Sequence, residues 1–232
     1  MPLSIGFIFM ATRADRTVPE ARALIDAALK LGVANIGFKD VGLPRAALKE
    51  LAAAIRAGGA TAFFEVVSLD REAELASAAA AADLGVDWLL GGVRAREVAP
   101  IASGAGIRYA PFPGRIVGHP SLLEGAIAEI ADSARAIVDV DGVAGVDLLA
   151  YRWTGDVPAL MRAVVGAVDR PVIVAGSIDG ESRIAAVAAS GAAGFTVGSA
   201  AIEGAFAAPA DDFKAQIRAI QRAAATPGDA RR

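Results

Sequence analysis

The 232-residue chain has no cysteine and a single histidine, His119. Without cysteine there is no disulfide framework, no zinc-finger spacing and no thiol nucleophile. One histidine does not make a histidine-rich metal site. Lysine is scarce as well, four against nineteen arginines. The formal net charge is −3 and no basic run occurs, which argues against nucleic acid as a partner. Gly, Arg or Asp interrupts every apolar stretch before it reaches membrane-spanning length, so no membrane partner is expected. Residues 4–10 are apolar, but they are too short for a signal segment and lack a basic flank. What remains reads as a cytoplasmic protein, with 55% hydrophobic residues to fill one large core.

What is present is alternation. Strand-like runs at 3–10, 33–39, 60–67, 86–91, 107–111, 146–151, 171–175 and 194–198 alternate with Ala-rich helical stretches. Those stretches lie near 18–31, 43–57, 70–84, 94–103, 120–141, 157–167, 181–190 and 210–224. A glycine precedes several strands, at Gly32, Gly85, Gly145 and Gly191, where a left-handed residue would end a helix. Eight β-then-α units imply a parallel sheet that closes on itself, an α/β fold of the (β/α)8 TIM-barrel type. The single domain spans 1–224, with 225–232 as a disordered tail. A doubly wound sheet would need a glycine-rich turn after strand 1, which instead reads Ala11-Thr12-Arg13-Ala14-Asp15.

Period-two alternation assigns the strand faces. Leu3, Ile5, Phe7 and Phe9 face the helices, leaving Ser4, Gly6, Ile8 and Met10 inward. On strand 2, Ile36 and Phe38 face out while Asn35, Gly37 and Lys39 face in. On strand 3, Thr61, Phe63 and Glu65 face in. Lys39 and Glu65 therefore end adjacent strands on the face where barrel enzymes do chemistry.

Lys39 is the sharpest catalytic candidate. Lys30, Lys49 and Lys214 sit on amphipathic helices, whereas Lys39 ends an apolar strand. A lysine in a dry pocket serves as acid, base or imine-forming amine, which arginine does not. The competing reading is a structural lysine paired with Asp40 or Glu65. Glu65 is the second catalytic candidate, as proton-transfer partner or as simple counter-ion. Asp40 is expected to cap the helix near Pro44. Arg152, ending strand 6, is positioned to grip a carboxylate or second anion, or else to pair with Asp156 at the surface. Arg94 repeats that idea after strand 4, and Arg13 with Asp15 lies in a loop long enough to touch ligand. Pro111-Phe112-Pro113-Gly114-Arg115 is stiff enough to fold over the opening. Trp153 would cover the site, and His119 is a solvated loop residue before it is a catalyst. No carboxylate cluster at the strand ends demands a metal, so no cofactor is indicated, although magnesium is compatible with the residues present.

Two later strands break into Gly-Ser, at Gly176-Ser177 and Gly198-Ser199, 22 residues apart. Glycine lets a bound group approach the backbone, and serine adds a hydroxyl beside the N–H groups. The loops after strands 7 and 8 are the usual phosphate site of such barrels, so these four residues are expected to hold a phosphate monoester. This places the anion site and Lys39 on opposite arcs of the mouth.

The last quarter of the chain resembles the ribulose-phosphate-binding barrel superfamily, including the histidine- and tryptophan-biosynthesis barrels and their epimerase relatives. Gly194-Phe-Thr-Val-Gly198-Ser199-Ala200 carries the likeness, which implies a phosphate held by Gly176, Ser177, Gly198 and Ser199. Ile36-Gly37-Phe38-Lys39-Asp40 is similar to the catalytic-lysine strand of N-acetylmannosamine-6-phosphate epimerases. Other members differ. Met10-Ala11 stands where the histidine-biosynthesis isomerase has aspartate. Lys39-Asp40-Val lacks the orotidine-phosphate decarboxylase pattern. Tyr151-Arg152 occupies strand 6, where the Schiff-base aldolases carry lysine.

Residues and resemblance together point to an enzyme acting on a small phosphorylated sugar or keto compound, and first to an isomerase or epimerase. An aldolase or lyase using Lys39 is the close alternative, and a phospho-metabolite sensor without turnover the rival. A homo-oligomer is left open.

Overall fold

The computed structural model describes residues 5–225. Eight parallel strands form the barrel: β1 Gly6–Met10, β2 Asn35–Lys39, β3 Thr61–Val66, β4 Trp88–Gly91, β5 Arg108–Ala110, β6 Val146–Leu148, β7 Val172–Val174 and β8 Gly194–Val197. Their order is β6-β7-β8-β1-β2-β3-β4-β5. The ring closes through a parallel bridge between Tyr109 and Val143, reinforced by Asp147 N–H donating to the Pro111 carbonyl at 2.9 Å. Helices α1 Ala21–Lys30, α2 Arg45–Ala57, α3 Arg71–Leu84, α4 Ala95–Gly104, α5 Ile127–Val138, α6 Val157–Ala167 and α7 Glu181–Ser190 alternate with the strands. The short α8 Ser199–Ile202 and then α9 Phe213–Ala225 complete the chain. The TIM-barrel architecture expected from the alternation is the one observed. Ala225 belongs to α9, and the rest of the expected tail, like Leu3 and Ser4, lies outside the described residues.

Alternation along the strands produces two cores. Phe9, Ile36, Phe38, Phe64 and Leu89 face the helices and meet residues such as Ile25, Leu51 and Ile55. Ile8, Met10, Phe63, Trp88, Leu90, Ala110 and Ile173 fill the barrel interior instead. The Phe63 and Trp88 rings stack there at 5.8 Å and 8°. Among the described residues three helices start on an aspartate cap, α9 on Asp212, which accepts from Ala215 N–H at 3.0 Å. Asp70 accepts from Ala73 N–H and Asp156 from Ala159 N–H, each at 2.9 Å.

Four details depart from the sequence reading. Ile5, expected to face the helices, packs against the interior cluster, with Gly6 at φ of 73° interrupting the alternation beside it. The stretch 120–141 is not one helix. Arg115–Val117 and Leu122–Glu124 pair as an antiparallel hairpin, because Gly118-His119-Pro120 makes a turn and Gly125 breaks the run before α5. Strand β6 stops at Leu148, and Ala150–Arg152 coil into a 3-10 turn. Gly145 is not a left-handed helix stop; that conformation belongs to Gly142. Gly145 is needed for close approach, since a Cβ there would lie 2.6 Å from the Pro171 carbonyl.

Candidate functional site

The chain after β1 folds back as a small hairpin, Thr12–Arg13 against Arg16–Thr17. Thr17 pins it to the end of β2. Its hydroxyl donates to the Lys39 carbonyl and accepts from Lys39 N–H, both at 2.8 Å. Ala14 and Asp15 form the turn with φ of 47° and 58°, the left-handed pair that a tight hairpin requires. The turn delivers the Asp15 carboxylate into the barrel mouth, where it is buried.

Lys39 and Glu65 are direct partners in the β2–β3 ladder, so the inward register read from alternation brings them together. Lys39 Nζ stands 2.9 Å from Glu65 Oε1 and 2.8 Å from Asp15 Oδ1, and the lysine is only 6% exposed. Arg152 then grips Asp15 with both terminal nitrogens, Nη1 to Oδ2 at 2.5 Å and Nη2 to Oδ1 at 2.6 Å. Its Nη1 also reaches the Ser121 carbonyl of the second hairpin at 3.2 Å. Four charged groups thus run in a line: Glu65, Lys39, Asp15, Arg152. The expected partner Asp156 is instead the cap of α6, and Arg152 reaches the site from the 3-10 turn after β6.

The line of charges sets protonation. Burial pulls Lys39 down, but the Glu65 and Asp15 carboxylates more than offset it, so its pKa lies above the ordinary lysine value. Burial acts on Asp15 the opposite way, yet its bonds to Arg152 and Lys39 hold it well below the usual carboxylate range. Lys39 is therefore an ammonium and Asp15 a carboxylate at neutral pH. One more acid lies beside them. Asp147, on β6, is wholly buried, and neither carboxyl oxygen has a hydrogen-bond partner. Burial and then the Glu65 charge push its pKa well above the ordinary value, so it carries its proton. Sequence reading missed Asp147, although its place between the helix-facing Val146 and Leu148 marks an inward position.

A cleft of about 130 Å³ joins this cluster to the Gly-Ser steps. Lys39, Glu65, Asp15 and Arg152 line it together with Gly176-Ser177 and Gly198-Ser199. The opposite-arc expectation is corrected here. In the ladder, β7, β8, β1, β2 and β3 are consecutive neighbours, so the two groups share one continuous arc. Thr12 and Thr196 also line the cleft, and the inward alternation on β8 was the available signal for Thr196.

Both glycines have packing reasons of their own. Gly176 has φ of 80°, and a Cβ there would come within 2.8 Å of the Arg152 side chain. At Gly198 it would meet Thr12 Oγ1 at 2.7 Å and Thr12 O at 3.0 Å. Among the described residues the N–H groups of Gly176, Ser177 and Gly198 find no acceptor, and the Ser199 hydroxyl accepts weakly from Ala14 N–H at 3.3 Å.

Other expected residues lie elsewhere. Arg94 is drawn away from the cleft, with Nη1 bonded to the fully buried Glu74 at 2.6 Å and the Leu69 carbonyl at 2.9 Å. Arg13 points outward and pairs with Glu203 at 3.3 Å. Asp40 does not cap α2; it accepts from Val67 N–H and the Ser77 hydroxyl, tying β2 to β3 and α3. His119 is exposed in the turn of the second hairpin. Trp153 donates from Nε1 to the Gly125 carbonyl at 2.9 Å, anchoring that hairpin. Among the described residues no group of three or more His, Asp or Glu is placed to hold a metal ion. Nor is any helix there long and apolar enough to cross a membrane. A larger cavity of about 560 Å³ lies apart from the charged line, around Trp88, Arg108 and Pro171 near the strand starts.

No protein-family model matches the chain, and no curated protein matches its sequence. Solved structures do match in shape. The tryptophan synthase complex from Pyrococcus furiosus superposes with a TM-score of 0.67 at 15% identity, covering 96% of this chain and 100% of that one. A native KDPGal structure gives 0.65 at 17% identity, over 94% and 92%. The N-acetylmannosamine-6-phosphate 2-epimerase from Clostridium perfringens gives 0.63 at 12% identity, over 85% and 88%. These likenesses show the (β/α)8 barrel fold.

Proposed function

We propose that this protein is an enzyme acting on a small phosphorylated sugar or keto compound, moving a proton next to a carbonyl as an isomerase or epimerase does. One observation carries the reading. A single compact cleft is lined by the Glu65–Lys39–Asp15–Arg152 line and by both Gly-Ser steps. The backbone N–H groups of Gly176, Ser177 and Gly198 bind the phosphate. Glu65 removes the proton from carbon, and the Lys39 ammonium stabilises or protonates the oxyanion that forms. Arg152, already paired with Asp15, braces Lys39 from behind more than it binds the far end of the substrate. Kinship in fold with an epimerase of a sugar phosphate supports the choice.

The imine route of an aldolase needs a neutral amine, and Lys39 sits between two carboxylates that keep it charged. The sensor reading draws on the same saturation of Lys39 by internal partners. One experiment separates the readings. Small aldose and ketose phosphates are incubated with the protein in D₂O, and exchange of the proton beside the carbonyl is followed by NMR. Exchange that disappears in Glu65→Gln is expected. Saturable binding of the same compounds without exchange or cleavage supports the sensor, and cleavage products support the aldolase.

A further inference from the structure

The loop after β1 adds a carboxylate to a site whose chemistry rests on Lys39. It carries that carboxylate on a two-residue turn, and its Thr17 hydroxyl bonds both backbone groups of Lys39 itself. Among the described residues, Asp15 touches both cationic side chains that line the cleft, Lys39 once and Arg152 twice. Its side chain is 3% exposed, so water does not dilute these contacts. The arrangement exceeds what holding a loop requires. Thr17 already anchors the hairpin, and Asp15 contributes bonds to side chains only.

We propose that Asp15 is the positioning residue that selects the chemistry of Lys39, clamping its ammonium between two carboxylates so that the cleft performs acid–base catalysis and not imine formation. The inference rests on Lys39 as the acid of the proposed reaction and adds what makes it one. With Asp15 neutral, Lys39 keeps Glu65 as a single counter-ion inside a buried site, and the burial that opposes its ammonium is offset by one carboxylate fewer. Arg152 in turn loses its bidentate partner and is released toward the substrate.

The test needs no natural substrate. Glycolaldehyde phosphate, a short phosphorylated aldehyde, is the probe. A neutral lysine nitrogen attacks its aldehyde carbon, water leaves to give the imine, and cyanoborohydride delivers hydride to that carbon while solvent protonates nitrogen. Peptide mass spectrometry then reads the label at each lysine. In the wild type at pH 7, Lys39 is expected to remain unlabelled while the exposed Lys30, Lys49 and Lys214 react, and its labelling should begin at higher pH than theirs. In Asp15→Asn, which keeps the shape and suits the left-handed turn, labelling of Lys39 should rise at least tenfold. Asp15→Glu should restore protection, in whole or in part.

Rapid labelling of Lys39 in the wild type, over the same pH range as the exposed lysines, overturns the proposal. So does an Asp15→Asn protein of native circular dichroism and unchanged Lys39 labelling, even with proton exchange by Glu65 intact. Loss of exchange in the wild type with all known sugar phosphates would instead strike the proposed reaction, leaving the labelling result to stand alone. Should Asp15→Asn fail to fold, Asp15→Ser takes its place: a rise in Lys39 labelling supports the proposal, and unchanged labelling in the folded variant overturns it.

Discussion

The two layers of the barrel interior are built on the same strands and differ in everything else. Phe63 and Glu65 lie two residues apart on β3 and both point inward. Phe63 stacks on Trp88 among Ile8, Leu90 and Ile173, whereas Glu65 joins Lys39, Asp15 and Arg152. The lower layer is closed by shape and the upper by charge. One step of the pleat therefore separates residues that fill the core from the residues proposed here for chemistry, an arrangement that leaves a barrel scaffold indifferent to what happens above it.

The widest gap between the layers should appear in rates. Glu65→Gln and Lys39→Met are each expected to lower proton exchange by about 10²–10⁴-fold. Lys39→Met leaves Glu65 without its cation, so its melting must be measured beside its rate. Because the proposed phosphate cradle shares one cleft with Lys39, some loss of phosphate affinity should accompany it. A full separation of the two effects would show that the anion site is energetically independent of Lys39 despite the shared cleft.

Phe63→Ala reverses the pattern. Removing a fully buried ring from the lower layer should cost about 3–5 kcal/mol in denaturant unfolding, with exchange per folded molecule changed far less. An equal loss of specific activity would show that the layers are mechanically coupled. Gly198→Ala is a smaller perturbation at the upper rim. The new methyl would press on Thr12, with an expected cost of about 1–3 kcal/mol. Inorganic phosphate binding, measured by calorimetry, should weaken alongside it. Unchanged phosphate affinity would move the anion site away from β8.

The lower layer was easier to read in the sequence than the upper one. Phe63, Ile8 and Met10 follow from alternation alone, because an apolar side chain on a strand needs only a face. Lys39 and Glu65 were legible for the same reason, being the polar ends of two readable strands. Asp15 was read as a polar loop residue and Arg152 as the end of strand 6, but their contact joins positions 15 and 152 through a hairpin and a 3-10 turn that no periodicity announces. Arg94 shows the opposite error. A strand-end arginine resembles a ligand contact until the buried Glu74 on α3 claims it. Loop geometry and long-range pairing, not strand pattern, decide which charges reach a barrel mouth.

Asp147 offers the finest test of the boundary, since it is a polar group held as the lower layer holds apolar ones. Glu65, Lys39 and Arg152 face it electrostatically, and their charges are already balanced with Asp15 included. A further negative charge would be uncompensated, so the folded protein retains the proton that the unfolded chain releases above about pH 4. A group that binds its proton more tightly when folded adds stability below its unfolded pKa. That stability is lost as pH rises toward the folded pKa. Asparagine has nearly the same shape and no proton to lose. Asp147→Asn and the wild type should therefore unfold at similar denaturant concentrations at pH 3. Above about pH 4 the variant should gain by up to about 1.4 kcal/mol per pH unit. Acid loss of the Asp15 contacts affects both proteins alike and cancels in the difference. A variant that becomes less stable than the wild type as pH rises would mean that Asp147 is ionised and paired, making it a fifth member of the charged line and moving the boundary between the layers down to β6.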